Sequence, residues 1–188
     1  MSSAPTAFDQ LVLTITETCN LRCSYCYVPR DRSRSMDDDV SDPALAWFLD
    51  QARGLPRVSV VFIGGEPLLE PARIRRIAAM ARRLASPGQQ VAFTATTNGT
   101  VVDDAVLAVI RDLDLKLAVS HDGETGQAER PFVTGAASLP ALARTLPRLR
   151  AAGDAVQLAR LTVTPASVTG LAENVRSLLR SGFQRVVY

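Results

Sequence analysis

Residues 11–26 read Leu-Val-Leu-Thr-Ile-Thr-Glu-Thr-Cys-Asn-Leu-Arg-Cys-Ser-Tyr-Cys and contain all three cysteines of the chain. The first six residues, Leu11 to Thr16, form an apolar run that predicts a strand. The cysteines follow it directly, with three and then two residues between them. Three thiolates in one loop can converge on a small metal centre, but an iron–sulfur cluster of the four-iron type takes four protein ligands. We therefore expect one open iron, at which a small molecule can bind and react.

Along the rest of the chain, short β-branched apolar runs alternate with longer amphipathic stretches, which is the pattern of a parallel α/β sheet. The predicted strands are Leu11–Thr16, Val58–Ile63, Val91–Thr96, Leu115–Ser120, Gln157–Val163 and Arg185–Tyr188. The predicted helices are Asp42–Arg53, Ala72–Ala85, Asp103–Arg111, Leu139–Ala151 and Val168–Ser181. Helix starts are expected at Ser41-Asp42-Pro43 and Asp103-Asp104, which supply capping oxygens and early negative charge.

Three further motifs lie at the ends of predicted strands or directly after them. They are Gly64-Gly65-Glu66-Pro67, Thr97-Asn98-Gly99-Thr100 and Ser120-His121-Asp122-Gly123. In parallel α/β folds, active sites gather at the carboxyl ends of the strands, because the loops there vary without disturbing the core. We therefore expect these motifs to share one site with the cysteine loop.

The cysteine spacing, with the aromatic Tyr25 just before the last cysteine, resembles the signature of the radical S-adenosylmethionine (SAM) enzymes. The strand-end motifs resemble those of the branch that contains anaerobic sulfatase-maturing enzymes and SPASM peptide maturases. This resemblance covers nearly the whole chain. It implies an α/β fold, a partial, open (βα)6 TIM-like barrel of parallel strands. It also implies a [4Fe-4S] cluster on Cys19, Cys23 and Cys26, with SAM bound to the remaining iron.

The same resemblance implies reductive cleavage of SAM to a 5′-deoxyadenosyl radical that abstracts hydrogen from a peptide or protein side chain. The expected SAM contacts are Tyr25, Gly64, Gly65, Glu66, Asn98, Ser120 and Arg160. Tyr25 would lie beside the adenine, the Gly-Gly-Glu segment near the methionine amino group, and Ser120 near the ribose or carboxylate. No residue is assigned as a catalytic acid or base. An external electron donor, such as a flavodoxin or ferredoxin, is implied as a partner.

Four residues near these motifs are open to more than one interpretation. Arg160 interrupts the apolar fifth strand, and a buried arginine needs an anion, either the SAM carboxylate or an acid on a neighbouring helix. Arg130 is a weaker candidate for the same task. His121 is expected to be a packing residue rather than a proton donor or substrate contact, because no carboxylate partner is evident. Arg22 is expected to lower the thiol pKa values.

Two further expectations concern residues outside the main motifs. Asn20 is expected to bond backbone amides of the cysteine loop. The basic residues of the second predicted helix are expected to cover the outer face of the barrel, with docking of an acidic leader peptide as an alternative. They are Arg73, Arg75, Arg76, Arg82 and Arg83.

Alternative interpretations of the cysteines carry less weight. Zinc usually takes four Cys or His ligands, and the single histidine, His121, is far from the cysteines in sequence. Buried structural thiols would more often be scattered, and an odd cysteine count does not suit a disulfide scaffold. Two functional alternatives stay open: radical chemistry on a small molecule or RNA, and a non-catalytic module that binds a metal or cluster for a partner.

Composition sets the remaining limits. The chain has 188 residues, of which 47% are hydrophobic and 21% charged, which is ordinary for one globular domain. A net charge of +2 gives little reason to expect nucleic acid. No apolar stretch approaches the roughly 20 residues of a membrane span, and free thiols favour a reducing cytoplasm. We expect a single core domain over residues 1–188 that ends within the sixth strand, with no C-terminal SPASM region.

Overall fold

The computed structural model describes residues 8–28 and 34–188, which contain one six-stranded parallel sheet. The strands are β1 (Gln10–Thr16), β2 (Arg57–Gly64), β3 (Gln90–Thr97), β4 (Lys116–Ser120), β5 (Val156–Arg160) and β6 (Val186–Val187). They lie side by side in sequence order, and each neighbouring pair is parallel. The sheet is therefore open, with β1 and β6 at its two edges, and the predicted fold class is confirmed.

Helices connect the strands, as parallel pairing requires. They are α1 (Asp38–Gln51), α2 (Pro71–Leu84), α3 (Asp104–Leu113), the one-turn α4 (Gly123–Gly126), α5 (Leu139–Ala151) and α6 (Leu171–Arg180). Asp103 caps α3 as predicted, since its side chain accepts a hydrogen bond from the backbone N–H of Val106. The short helix α4 was not predicted.

Helix α1 begins at Asp38 rather than at Asp42, so Pro43 lies inside the helix. The predicted cap at 41–43 is therefore wrong. The side chains of Ser41 and Asp42 instead bind the guanidinium of Arg76 on α2, at 2.7 and 2.8 Å. The polar residues that resemble a helix cap therefore connect α1 to α2. A contact between two helices has no local sequence signature, so it could not be predicted.

Strand β5 ends at Arg160, three residues before its predicted end. The backbone N–H of Thr162 donates to the Asp122 carboxylate at 3.0 Å instead of continuing the strand ladder. Ser120, the last residue of β4, is the register partner of Arg160, the last residue of β5. The two strands therefore end side by side.

The two faces of the sheet differ in burial. On β2, Val58, Val60 and Phe62 are almost completely buried in the hydrophobic core, and Phe62 stacks on Phe93 of β3 with ring centroids 6.3 Å apart. Ile63, on the opposite face, lines a cavity at the carboxyl ends of the strands. The core thus fixes the strands from one side and leaves the other side for a site.

Candidate active site

A cavity of about 580 Å³ lies at the carboxyl ends of the strands. All three cysteines line it, together with residues from the ends of β2 to β6. The lining residues predicted from sequence are Cys19, Cys23, Cys26, Tyr25, Gly64, Gly65, Asn98, Ser120 and Arg160, joined by Arg130. The structure therefore brings together every predicted site residue except Glu66, which lies behind the wall of the cavity.

The cysteine loop is held by the segment around Arg130, of which sequence reasoning named only Arg130 itself. The backbone N–H of Arg22 donates to Pro131 at 2.8 Å, and that of Ser24 donates to Glu129 at 2.9 Å. An isolated bridge pairs Leu21 with Phe132. Residues 129–132, which follow β4, thus hold the cysteine loop in place. No local sequence pattern predicts this contact.

Burial raises the pKa values of the Cys19 and Cys23 thiols, and the thiols also influence one another. The cation that opposes this effect at Cys23 is Arg130. The expectation for Arg22 is therefore wrong: its side chain is exposed, whereas the distant Arg130 is buried beside the loop.

Tyr25, Asp122 and Arg130 form one polar cluster beside the cavity, in which Asp122 and Arg130 are buried and Tyr25 is half-buried. The Tyr25 hydroxyl donates to the Asp122 carboxylate and accepts a hydrogen bond from the Arg130 guanidinium at 2.6 Å. The Arg130 and Asp122 side chains are 3.8 Å apart, and both are more than 90% buried. Burial raises the pKa of Tyr25, so the hydroxyl keeps its proton and can donate. The cluster joins the cysteine loop to the segments that follow β4.

Asp122 is a junction between two strand ends, because its second oxygen accepts the backbone N–H of Thr162 after β5. A carboxylate directly after a strand, within the Ser-His-Asp-Gly motif, was the signal in the sequence that could have identified it.

Glu66 is completely buried, and its carboxylate accepts three hydrogen bonds. The donors are the backbone N–H of Leu68 at 2.9 Å, the Thr97 hydroxyl at 2.7 Å and the backbone N–H of Asn98 at 2.6 Å. Burial raises the pKa of Glu66, and these donors oppose the rise. Glu66 therefore ties the end of β2 to the end of β3, and its carboxylate does not line the cavity as expected.

The two glycines before Glu66 are required by a close approach of the backbone. A Cβ on Gly64 would lie 2.0 Å from the carbonyl oxygen of Thr16, and one on Gly65 would lie 2.3 Å from that of Thr18. Gly64 also has a φ of +141°. The end of β1 and the residues directly after it thus require both glycines. Contact of Gly64 and Gly65 with SAM stays a prediction.

Arg160 lines the cavity but is exposed, so the expectation that it is a buried arginine in need of an anion is wrong. No ion pair joins it to another of the described residues. The buried arginine of this site is Arg130, and its Nε atom has no hydrogen-bond partner among the described residues.

His121 is a packing residue, as expected. It is 6% exposed, meets the Phe183 ring edge-on at 6.1 Å, and its Nδ1 accepts the backbone N–H of Gly123 at 3.2 Å. Burial lowers its pKa to about 4, and the charges of Arg130 and Arg150 act in the same direction. The imidazole is therefore neutral at pH 7.

Asn20 contacts side chains rather than the backbone amides of its own loop. Its amide donates to the Thr100 hydroxyl at 2.9 Å and accepts from the Asn98 amide at 2.8 Å. Asn98 also donates to the sulfur of Cys19 at 3.8 Å. The Thr-Asn-Gly-Thr motif after β3 is thus in direct contact with the cysteine loop.

The basic residues of α2 form ion pairs with neighbouring helices. Arg76 lies 2.7 Å from Asp38 of α1, and Arg75 lies 2.6 Å from Asp112 of α3. Arg82 lies over the Phe93 ring at 5.4 Å. These contacts agree with a role on the outer face of the fold.

The donor set suits an iron–sulfur cluster. Three thiols line one cavity within mutual electrostatic reach, and the buried Arg130 lines the same cavity. Within residues 8–28 and 34–188, no three His, Cys, Asp or Glu side chains are grouped closely enough to hold a metal ion by themselves. No helix in these ranges is long and apolar enough to cross a membrane.

The three thiols lie together at the carboxyl edge of an open parallel α/β sheet. The family model of the radical SAM superfamily matches residues 13–181, and the chain belongs to this superfamily. Proteins of the superfamily use a [4Fe-4S] cluster and SAM. Family membership therefore answers the question that the cysteines alone had left open between iron–sulfur and zinc.

Two curated relatives with different names are similar to part of this chain. A serine-type anaerobic sulfatase-maturating enzyme from Klebsiella aerogenes is 31% identical over 124 residues, which cover 64% of this chain and 31% of that protein. GTP 3′,8-cyclase from Parasynechococcus marenigrum is 35% identical over 148 residues, which cover 69% of this chain and 39% of that protein.

A solved structure shares the fold. Native anSMEcpe with bound AdoMet and Cp18Cys peptide matches with a TM-score of 0.81 at 19% identity, over 94% of this chain and 49% of that one. The chain thus spans less than half the length of these three relatives, at 31%, 39% and 49%.

Proposed function

We propose that this chain binds a [4Fe-4S] cluster through Cys19, Cys23 and Cys26, and binds SAM in the adjoining cavity. The observation that carries the proposal is that the three thiols and the ends of five strands line the same cavity of about 580 Å³. Three thiols leave one iron of a four-iron cluster without a protein ligand. The cavity supplies room for a cofactor beside that iron.

When bound, the cluster would supply the one electron needed for reductive cleavage of SAM, and this cleavage would provide the radical chemistry that removes a hydrogen atom from the substrate. The chain's own residues bind and orient the reactants, and they keep the cluster in place.

Arg130 is the residue that we assign to the SAM carboxylate. It is buried and lines the cavity, whereas Arg160 is exposed to solvent. A buried guanidinium binds a carboxylate strongly. Ser120 lines the same cavity and supplies a hydroxyl for the ribose or carboxylate.

Tyr25 is assigned to the adenine. Its hydroxyl is fixed by Asp122 and Arg130, so the ring that faces the cavity has a set orientation. A fixed aromatic ring can stack on a purine with little loss of conformational entropy.

The substrate that we propose is a side chain of a peptide or protein. Support comes from the similarity to a sulfatase-maturating enzyme and from the fold shared with anSMEcpe, which holds a peptide together with AdoMet. The electron would come from a small external donor, such as a flavodoxin or ferredoxin. Free thiols at the site favour a reducing compartment, the cytoplasm.

A second candidate is the same radical chemistry on a small molecule. The similarity to GTP 3′,8-cyclase supports it, because that relative is 35% identical over 148 residues. The two candidates share the cluster, the cofactor and the cavity, and they differ only in what delivers the hydrogen atom.

Anaerobic reconstitution with iron and sulfide, followed by reduction and an assay for 5′-deoxyadenosine, tests the proposal. We expect about four irons per chain and product that requires SAM, with neither in Cys23→Ala. Uncoupled cleavage in the absence of substrate is sufficient support for the cofactor assignment. A chain that binds iron but forms no 5′-deoxyadenosine would contradict the catalytic proposal and favour a non-catalytic module.

Deuterium transfer separates the two substrate classes. Cells would be grown on deuterated medium, and their extract would be separated into a protein fraction and a small-molecule fraction. Each fraction would be added separately to the reduced enzyme. We expect deuterium in 5′-deoxyadenosine with the protein fraction, whereas transfer from the small-molecule fraction alone would favour the second candidate.

A further inference from the structure

The Asn98 side chain lies between the cysteine loop and the loop after β3, and each of its polar atoms has a partner. Its amide nitrogen donates to Asn20 at 2.8 Å and to the Cys19 sulfur at 3.8 Å. Its amide oxygen accepts from the backbone N–H of Thr100 at 2.9 Å and from the Thr100 hydroxyl at 2.7 Å. The side chain is thus fully bonded in a site where it is 4% exposed.

These partners determine which way the amide faces. Two donors of Thr100 meet one end of the Asn98 amide, so that end must be the oxygen. Asn20 completes a ring of three hydrogen bonds, because it donates to the Thr100 hydroxyl and accepts from Asn98. The second N–H of Asn98 is consequently directed at the Cys19 sulfur.

The backbone at this position is fixed as well. The N–H of Asn98 donates to the fully buried Glu66 carboxylate at 2.6 Å. Cys19 also accepts the backbone N–H of Leu21 at 3.4 Å. Its sulfur therefore faces two N–H donors, one from its own loop and one from the neighbouring strand end.

We propose that Asn98 is a positioning residue that tunes the metal centre through Cys19. N–H donors stabilise negative charge on a cluster's sulfur ligands, and this charge is greater in the reduced cluster. The Asn98 amide therefore raises the reduction potential and makes the cluster easier to reduce. This inference rests on the proposed function, since it requires a cluster on Cys19.

The test is an EPR-monitored redox titration of the reconstituted chain without SAM. Two variants remove the donor: Asn98→Leu, which has a similar size, and Asn98→Asp, which keeps the acceptor that faces Thr100. Thr100→Val is the matched control. It breaks two bonds of the ring but keeps the backbone N–H of residue 100 on the Asn98 oxygen, so the amide still faces Cys19. Circular dichroism and iron content show that each variant is folded and loaded.

We expect both Asn98 variants to have a more negative midpoint potential than the wild type. The shift should be larger for Asn98→Asp, which places negative charge near the sulfur, and Thr100→Val should keep the wild-type value. Loaded Asn98 variants with the wild-type potential would overturn the inference alone. A wild-type chain that takes up no four-iron cluster would overturn the proposed function, and the inference with it.

Discussion

At the scale of single residues, the site depends on buried polar groups whose partners come from other strands. Glu66 is the clearest case, because its three donors all lie on or next to the strand-end motifs. A buried acceptor with several donors stabilises the fold only while each donor keeps its partner. Glu66 thus has a structural reason to be a carboxylate, independent of any cofactor.

We predict that Glu66→Gln lowers the free energy of unfolding by about 2 kcal/mol, because an amide N–H₂ would face a buried donor. Urea denaturation measures the change. Glu70→Gln is the control: Glu70 is partly exposed and accepts one hydrogen bond from Ser35. Its expected loss is below about 1 kcal/mol. Equal losses in the two variants would contradict the role assigned to Glu66.

The single histidine gives a pH-dependent prediction. Its pKa is about 4 in the folded chain and 6.5 in its ordinary state, so the unfolded chain binds the proton more tightly. The contribution of His121 to stability is therefore complete above pH 6.5 and is lost as the pH falls towards 4. The full loss corresponds to about 3 kcal/mol.

Urea denaturation of the wild type and of His121→Gln, at several pH values between 7 and 4, measures this contribution. The stability of the wild type should fall more steeply than that of the variant across this range. Subtracting the two profiles removes the common titration of the carboxylates. If the stability of the two proteins fell equally with pH, the lowered pKa of His121 would be contradicted.

At the scale of elements, the cysteine loop is held from outside by the chain that follows β4. Tyr25 and Arg130 are 105 residues apart in sequence, yet their side chains are 2.6 Å apart. Backbone bonds from Arg22 and Ser24 to the same segment act in parallel. The loop should therefore keep its shape only while this segment is docked.

We predict that Tyr25→Phe weakens this docking, because Asp122 and Arg130 lose their shared hydroxyl in a buried site. The amides of Arg22 and Ser24 should exchange with solvent faster, and the free energy of unfolding should fall by about 1–2 kcal/mol. Hydrogen–deuterium exchange and urea denaturation measure the two effects. Tyr27→Phe is the matched control, since Tyr27 is 83% exposed. Unchanged exchange in Tyr25→Phe would refute the docking role of the hydroxyl.

Much of the site could be predicted from the sequence, because its main motifs are local. The cysteine spacing, the Gly-Gly-Glu segment and Asn98 each follow an apolar run whose strand was evident. The contacts of Tyr25 with Asp122 and Arg130 could not be predicted in the same way, because contacts across more than 90 residues leave no periodic signal. Arg160 was misjudged because an apolar run around a residue does not fix the burial of a long side chain.

At the scale of the whole molecule, parallel strands in sequence order bring five separate strand ends to one edge of the sheet. Helices pack on the other face and bury the core. The cavity therefore combines thiols from one loop with polar groups from distant parts of the chain. A fold of this kind allows a cluster and a cofactor to be held by different elements of one site.

The measurement that tests this account most directly is the EPR spectrum of the reduced, reconstituted chain with and without SAM. If the thiols and the cavity form one site, SAM will bind beside the open iron and change the signal of the cluster. We predict a clear shift in g values in the wild type and no cluster signal in Cys23→Ala. A four-iron signal that stays the same at saturating SAM would contradict the account, because the cluster and the cavity would then be separate.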